Sequence, residues 1–574
     1  MMRLLAILSL ALSACLACAS EGAWLDTFRA LPVQDGGRVM PLDSYANRLA
    51  IELTGRSRWS EDRGAEAFRG RPAISLLADL MFDPSGFAEG GAMHAPLIVI
   101  DDRPFKERVG LDTEQKFFSA MELARNTGIQ EILDGFQAKR AQDQSVQPRG
   151  DERTAIDLSN AVHRLNQFAS RTPLPIVPQG DDTFLRVSET GGEPGTEKAR
   201  NAMRAFGEAY RAGEPLDAPA DAMADAIMSS GSLTEAQDKA IGLELFYNDH
   251  KPWRMTAVAY GLSILAFGAS RLLFRKPLVI AAILLGVWGV AEHTLGIGLR
   301  VGILQRAPVS NTYESLLWMG LVGIGIGMIA QIFNRKAYYL FAGVCTALLS
   351  VLFAMLVPLE QQTNALPAVL RSNYWLIVHV LTIVASYGIL LVASVLGHVY
   401  LFRTTILGQR LEKSPDDDLL PKTHPLTIQT YRCLQIGLFL LTAGTILGGV
   451  WAADSWGRFW GWDPKETWAL ISIVIYFAVL HARYIGWIQE FGLAASSILG
   501  FAAIVWTFYG VNYVMATGLH SYGFGSGGEV WVLLWAAAEV LFLVVCKIRH
   551  KTLTKARSKE LHDELSLPRD ASTA

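Results

Sequence analysis

The chain has 574 residues, of which 51% are hydrophobic and only 18% charged. Soluble globular chains carry roughly 25% charged residues, and this balance excludes a disordered, collagen-like or disulfide-built protein. A formal net charge of −3 gives no reason to expect a nucleic-acid partner.

The averages hide a split along the chain. Arg3 is followed by an apolar stretch over residues 4–12, too short to cross about 30 Å of hydrocarbon and suited to a signal peptide over residues 1–19. Leu12, Ser13, Ala14 and Cys15 resemble a lipobox, whereas Ala17, Cys18 and Ala19 fit an ordinary A-x-A cleavage site. Residues 20–250 are dense in Asp, Glu, Lys and Arg and hold no cysteine, so neither an internal disulfide nor a thiolate metal site belongs there. The apolar runs at 74–81, 96–100 and 174–177, with amphipathic patterns over 114–140 and 197–212, predict an α-rich or α+β domain outside the cytoplasm. His94 and His163 are isolated within it, and no catalytic motif is visible.

Residues 251–550 read as a membrane domain, followed by a cytoplasmic tail at 551–574. Nine spans are predicted, at 255–274, 278–298, 314–333, 337–357, 375–402, 433–452, 467–486, 490–511 and 529–547, each near the length a helix needs. The fold class is therefore a polytopic α-helical membrane protein with an N-terminal extracytoplasmic domain. No repeat supports an inverted-repeat transporter. Arg271, Arg275, Lys276, Arg335, Lys336, Arg403, Arg410, Arg483, Lys547, Arg549 and Lys551 flank alternate span ends and mark the cytoplasmic side. Arg300 and Arg306 fall on the other side, against the pattern. The three cysteines in apolar runs, Cys345, Cys433 and Cys546, read as small core residues.

The outer loops then carry the unusual residues. Within 454–468, four tryptophans (Trp456, Trp460, Trp462 and Trp468) fall in 13 residues, interleaved with glycine and the Asp463-Pro464 turn. An interfacial aromatic belt predicts scattered aromatics. A cluster this dense suits a flat apolar platform for a large planar ligand, with Arg458 and Lys465 placed to pair with its carboxylates. A planar dicarboxylate suggests haem, whose iron takes imidazole as its usual axial ligand. His379, at the start of the fifth span, and His520, after the eighth, flank this loop on the same face. His481 lies within the seventh span, and His293 beside Glu292 within the second; ionisable groups inside a membrane are functional candidates by default. His398, His424, His550 and His562 fall on the cytoplasmic side with no special pattern.

These residues resemble a known family. Trp456 through Trp468 has the form W-G-x-x-W-x-W-D-P-K-E-T-W and is similar to the tryptophan-rich WWD signature of the CcsA/ResC branch of cytochrome c biogenesis proteins, system II. Pro308-Val-Ser-Asn311-Thr-Tyr313-Glu314-Ser315 resembles the P-x-S-N-x-Y-E-S stretch of that branch. Tyr374-Trp-Leu-Ile-Val-His379-Val and Gly518-Leu519-His520-Ser521-Tyr522-Gly523 resemble its two outer-histidine motifs. The resemblance covers residues 240–547.

It implies that His379 and His520 are axial ligands of haem b, that the WWD loop cradles the haem edge, and that His481 is the family's transmembrane histidine. Haem would be presented, not kept, for attachment to the Cys-x-x-Cys-His site of an apocytochrome c, in a synthetase complex of a bacterial inner membrane. His293 and Glu314 are possible additional contacts. In fused family members a ResB/CcsB-type half supplies a further transmembrane histidine; here that histidine is expected either on a separate ResB-like subunit, the favoured reading, or replaced by His293. Leu31-Pro-Val-Gln34, Gly37-Arg38 and Pro41-Leu-Asp43 resemble an extracytoplasmic segment that precedes this module in some members. Three other readings compete: a bis-His haem electron-transfer protein, a haem exporter without a ligation role, and a non-catalytic scaffold in which the histidines are dispensable.

Overall fold

The computed structural model describes the chain outside residues 1–21, 55–70, 88–89, 143–145, 147, 149, 171–173, 181–182, 187–193, 272, 336, 357–373, 412–422, 516–528 and 567–574. The signal segment with Cys15 and Cys18 lies outside the described residues, as does the motif containing His520. The chain divides into two compact units, Met1–His250 and Lys251–Ala574.

The first unit runs α1 (Ala23–Ala30), β1 (Pro32–Asp35), β2 (Arg38–Pro41), α2 (Leu42–Thr54), α3 (Ala73–Phe82), β3 (Pro96–Val99), α4 (Arg103–Val109), β4 (Phe117–Ser119), α5 (Ala120–Ala124), α6 (Thr127–Gln142), α7 (Asp151–Ala169), β5 (Pro175–Gly180), β6 (Thr183–Arg186), α8 (Pro194–Ala212), α9 (Asp217–Met228) and α10 (Glu235–His250). The strands form three separate two-stranded antiparallel pairs among the described residues. The helical pattern over 114–140 is broken: 117–119 pairs as a strand, and α6 starts only at Thr127. Asn126 sets that start, its Oδ1 accepting from Ile129 N at 2.9 Å while its Nδ2 donates to the Val109 carbonyl.

The Leu31-to-Asp43 motif folds as a hairpin. Asp35 pairs with Arg38 across Gly36 and Gly37, whose φ values of 59° and 76° suit a two-residue primed turn. Arg38 then grips the buried Glu244 of α10 with two hydrogen bonds, at 2.6 and 2.8 Å. Asn248 of the same helix donates to Asp43 at 2.9 Å. The motif thus joins the beginning of this unit to its last helix.

The second unit runs α11 (Pro252–Ala269), α12 (Arg275–Leu304), α13 (Thr312–Asn334), α14 (Ala337–Leu356), α15 (Tyr374–Leu401, extended by a π-helical turn Phe402–Ile406), α16 (Pro425–Trp456), α17 (Pro464–Tyr484), α18 (Glu490–Val505, extended by a π-helical segment Trp506–Met515) and α19 (Glu529–Ser566). Seven helices among the described residues, α12 to α18 with their extensions, are long and apolar enough to cross a membrane. The first and ninth predicted spans are also helical, as α11 and the front of α19. The unit is a polytopic helical membrane domain.

Its packing is of the small-residue kind used where lipid supplies no hydrophobic drive between helices. A Cβ on Gly289 would stand 2.4 Å from the Tyr260 ring, and one on Gly327 would meet Gly343 Cα at 2.7 Å. Opposite these faces, Ile280, Leu284 and Val287 of α12 are exposed, as lipid-facing residues are. We call the end holding the 457–463 loop the loop end and the opposite one the basic end, after Arg271, Arg275, Arg403 and Arg483. Arg300, an exception to the charge pattern, is buried at the loop end in an ion pair with Glu314 at 2.7 Å.

At the basic end His424 caps α16, its Nδ1 accepting from Leu426 N at 3.0 Å. Burial and the Arg403 guanidinium push its imidazole down to about 4, with Glu490 pulling the other way. Below its ordinary pKa of about 6.5 the unfolded chain binds a proton that the folded cap refuses. Thermal unfolding in detergent should therefore show stability falling as pH drops from about 6.5 toward about 4. His424→Asn, which keeps a capping acceptor without a titrating ring, should weaken that dependence.

Candidate functional site

The loop-end site starts from glycines on α16. A Cβ on Gly444 would fall 2.8 Å from Ile383 of α15, so the two helices touch backbone to side chain at this level. The close approach brings His379 of α15 to the Gly444 carbonyl, with Nδ1 at 2.6 Å. Donation to that carbonyl fixes the proton on Nδ1 and puts the imidazole lone pair on Nε2, the nitrogen a metal would take. A side chain at Gly448 would collide with the ring, 2.7 Å from Cε1, and one at Gly449 with Phe459 at 2.6 Å.

The loop joining α16 to α17 is held at both ends by helix caps. Gly457 closes α16 in the left-handed region, φ 71°. Asp463 caps α17 by accepting from Lys465 N at 2.9 Å, with Pro464 in the first helical position. Glu466 reaches back to Asp463 N and Gly461 N, completing a capping box. Between the caps Trp462 is also left-handed, φ 56°, a strained conformation for a bulky residue. The Asp-Pro-Lys-Glu sequence is therefore a helix start that fixes the loop.

The four tryptophans do not form one flat platform. Trp456 packs on Trp451 at 4.6 Å and 63°, Trp460 stands edge-on to Trp462 at 5.9 Å and 85°, and Trp468 packs on Trp506 at 5.7 Å and 57°. These tilted and edge-on arrangements are the ones aromatic quadrupoles favour. Trp460, with Phe459, lines the cavity that opens here, while Trp462 is 70% exposed.

That cavity has a volume of about 210 Å³. It gathers residues from widely separated motifs: Ser310 and Asn311, His379, Gly448, Trp460 and Lys465, and Asn512. Lys465 Nζ donates to Asn512 Oδ1 at 2.9 Å, and Asn512 is buried in the π-helical segment. Trp460 Nε1 is a buried donor with no hydrogen-bond partner among the described residues. An apolar cleft with an imidazole, a lysine and an unused N–H fits a flat ligand that carries a metal and carboxylates.

Of the residues singled out in the sequence, the cavity unites His379, Trp460 and Lys465. Asp463 shapes it as a cap. Trp456, Arg458, Trp462 and Trp468 belong to the loop or its flanks and do not line it. His481 is exposed on α17, its Nδ1 bonded to the Phe477 carbonyl of its own helix at 2.8 Å. His293 is fully buried, at 2.8 Å from the Leu317 carbonyl and 3.3 Å from Tyr260 Oη, and away from the cavity. The Glu314 carboxylate is taken by Arg300 and by Ser310 N at 2.9 Å. The Asn311 side chain caps α13, accepting from Glu314 N at 2.8 Å. Among the lining residues not singled out as site residues are Arg306, met only as a charge on the unexpected side, and Asn512.

Helical spans closing around an apolar, imidazole-bearing cleft define a polytopic membrane protein with a cavity at one end of its helices. Comparison with known proteins narrows the class. The cytochrome C assembly protein family matches residues 309–520, a stretch that supplies most of the residues lining the cavity. The chain is 39% identical over 245 residues to a cytochrome c biogenesis protein CcsA of Prochlorococcus marinus, covering 38% of this chain and 75% of that protein. It is 36% identical over 282 residues to CcsA of Mesostigma viride, covering 45% and 86%. It is also 30% identical over 519 residues to Protein NrfI of Wolinella succinogenes, covering 85% of this chain and 53% of that protein. The chain thus spans about half the length of NrfI. The 85% share exceeds what Lys251–Ala574 can supply, so that similarity continues into the first unit. The chain belongs to the CcsA-type cytochrome c biogenesis family.

Asp463→Ala removes the cap and should cost about 0.5–2 kcal/mol. Thermal unfolding in detergent should show the loss, and tryptophan quenching should show a more accessible loop. Asp463→Asn should restore both.

Proposed function

We propose that this protein binds haem b at the loop end and presents it to the Cys-x-x-Cys-His segment of an apocytochrome c. The observation that carries the reading is the convergence of His379, Trp460, Lys465 and the 308–315 motif on one apolar cavity. In this reading His379 and His520 supply the two axial nitrogens. The Gly444 carbonyl orients His379 and keeps its basic nitrogen directed to the ligand. Arg306, Lys465 and the Trp460 N–H face the same space and suit the haem carboxylates. The haem supplies the vinyl groups to which the apocytochrome thiols add; this chain's residues bind it, orient it and shield it from water.

The loop end is proposed to face outward across a bacterial inner membrane. The arginines at the basic end support this by the positive-inside rule, and a cleaved signal at 1–19 would place the 20–250 unit on the same outer side. Domain limits at 20–250 and 251–550 agree with this organisation. His481 is proposed to meet a ResB-like subunit. It is exposed on α17 among exposed apolar residues such as Val474 and Phe477, where a second membrane protein could reach it.

His379→Ala should abolish cytochrome c maturation and remove the haem absorption of the purified protein, and added imidazole should partly restore both. Normal maturation in that variant would refute the ligand assignment. A haem that cycles with quinol while maturation is unaffected would favour the electron-transfer reading instead.

A further inference from the structure

A second and larger cavity, about 1590 Å³, lies in the helical unit toward the basic end. It is the space that helix packing leaves over. α14 packs mainly on α13 and α11, and α19 mainly on α18 and the π-helical turn after α15. The gap bounded by α14 and α19, and floored by α15 and α18, stays open. Ligand clefts usually hold roughly 300–1,000 Å³, so this one suits something long and apolar.

Its walls match an acyl chain. Phe341, Cys345, Leu349, Leu352 and Leu356 of α14 line it at helical spacing, a stripe of roughly 22 Å by helix rise. One leaflet holds about 15 Å of hydrocarbon, half of the full core, so a chain entering at the basic end lies along the stripe throughout. Leu349 and Leu356 are exposed, which leaves the cavity open sideways to the bilayer. Among the described residues the one histidine in its lining, His398, has both ring nitrogens engaged. Nδ1 meets the Ser394 carbonyl at 2.9 Å and Nε2 the Glu539 carboxylate at 2.8 Å. This imidazole has no lone pair left for a metal, and the carboxylate is satisfied as well.

The basic end of the cavity matches a phosphate. Arg271, Arg275 and Arg403 line it there. Among the described residues none of the three is paired with a carboxylate. Arg403 Nε donates to the Gln409 side chain at 2.9 Å. Arg271 and Arg403 are near enough to feel each other's charge, and like charges at such range repel. An anion lodged between them removes that repulsion, and basic pockets between membrane helices hold anionic headgroups in this way.

We propose that this cavity holds an anionic phospholipid, with its phosphate among the three arginines and its chains along α14. Tyr387 and Phe508, whose rings meet edge-on at 6.0 Å and 74°, line both this cavity and the loop-end one. The lipid therefore backs one wall of the loop-end cavity without entering it. The proposal is independent of the haem reading.

The test measures phospholipid in the full-length protein purified in mild detergent. Bound lipid phosphorus and headgroup are assayed in wild type, in the Arg271→Gln/Arg403→Gln pair, and in Val395→Trp, whose indole would fill the apolar space. Wild type should keep a stoichiometric phospholipid, enriched in anionic headgroups over the membrane it came from. After delipidation it should take up lipid from phosphatidylglycerol vesicles and not from phosphatidylcholine vesicles. The arginine variant should hold the lipid roughly thirtyfold more weakly, the worth of two basic residues beside a charged headgroup. Val395→Trp should hold little of either lipid. Retained lipid that merely mirrors the membrane's composition overturns the proposal, as does wild-type retention in the arginine variant or no retention in wild type. Inorganic phosphate that competes as well as the vesicles do overturns it too, because the arginines would then hold an anion with no need of chains. If Val395→Trp does not fold, the arginine variant and the vesicle comparison decide.

Discussion

The hydrogen bond from His379 to the Gly444 carbonyl depends on a backbone approach that only glycine allows. Any side chain at Gly444 would meet Ile383, and any at Gly448 would meet the imidazole itself. The same contact packs α15 on α16 and sets the tautomer of the histidine. A helix contact and a ligand orientation are thus one constraint, and neither can relax without the other. The rest of the cavity is arranged about this pair: the tryptophan-rich loop leaves α16 two turns beyond Gly449, and Gly449 itself makes room for Phe459.

Much of this was legible in the sequence, because periodicity and charge are properties of one helix at a time. The apolar spans and their alternating charges follow from that, and so does the gathering of the 308–315 motif, His379 and the tryptophan-rich loop at one end. Which face of a helix meets which neighbour is not a one-helix property. The tryptophan spacing announced an aromatic cluster and could not say that Trp460 turns inward while Trp462 turns out. Asp463 looked like a turn residue beside a ligand, and its work is to cap α17. His398 carried no local signal, since its partner Glu539 lies 141 positions along the chain. His520 falls outside the described residues and keeps its standing as an inference from the motif.

The first unit shows the same division. Gly36-Gly37 between short β-prone segments is a turn signal that could be read locally. The bidentate grip of Arg38 on Glu244, 206 residues away, could not. Such long-range ion pairs are costly to bury and are lost outright when one partner is removed. They make the resemblance of the 31–43 segment to other sequences a matter of assembly within its own unit.

The buried pair Arg300–Glu314 has a consequence for synthesis. Each residue is charged, each is buried near the end of its helix, and each neutralises the other. A lone arginine or glutamate is penalised when its helix is handed to lipid. The two helices are separated only by residues 305–311. Insertion of α12 by itself would leave Arg300 uncompensated until α13 emerged from the ribosome. The pair therefore favours delivery of α12 and α13 to the bilayer together, as a hairpin, and makes the order of translation part of how this fold is reached.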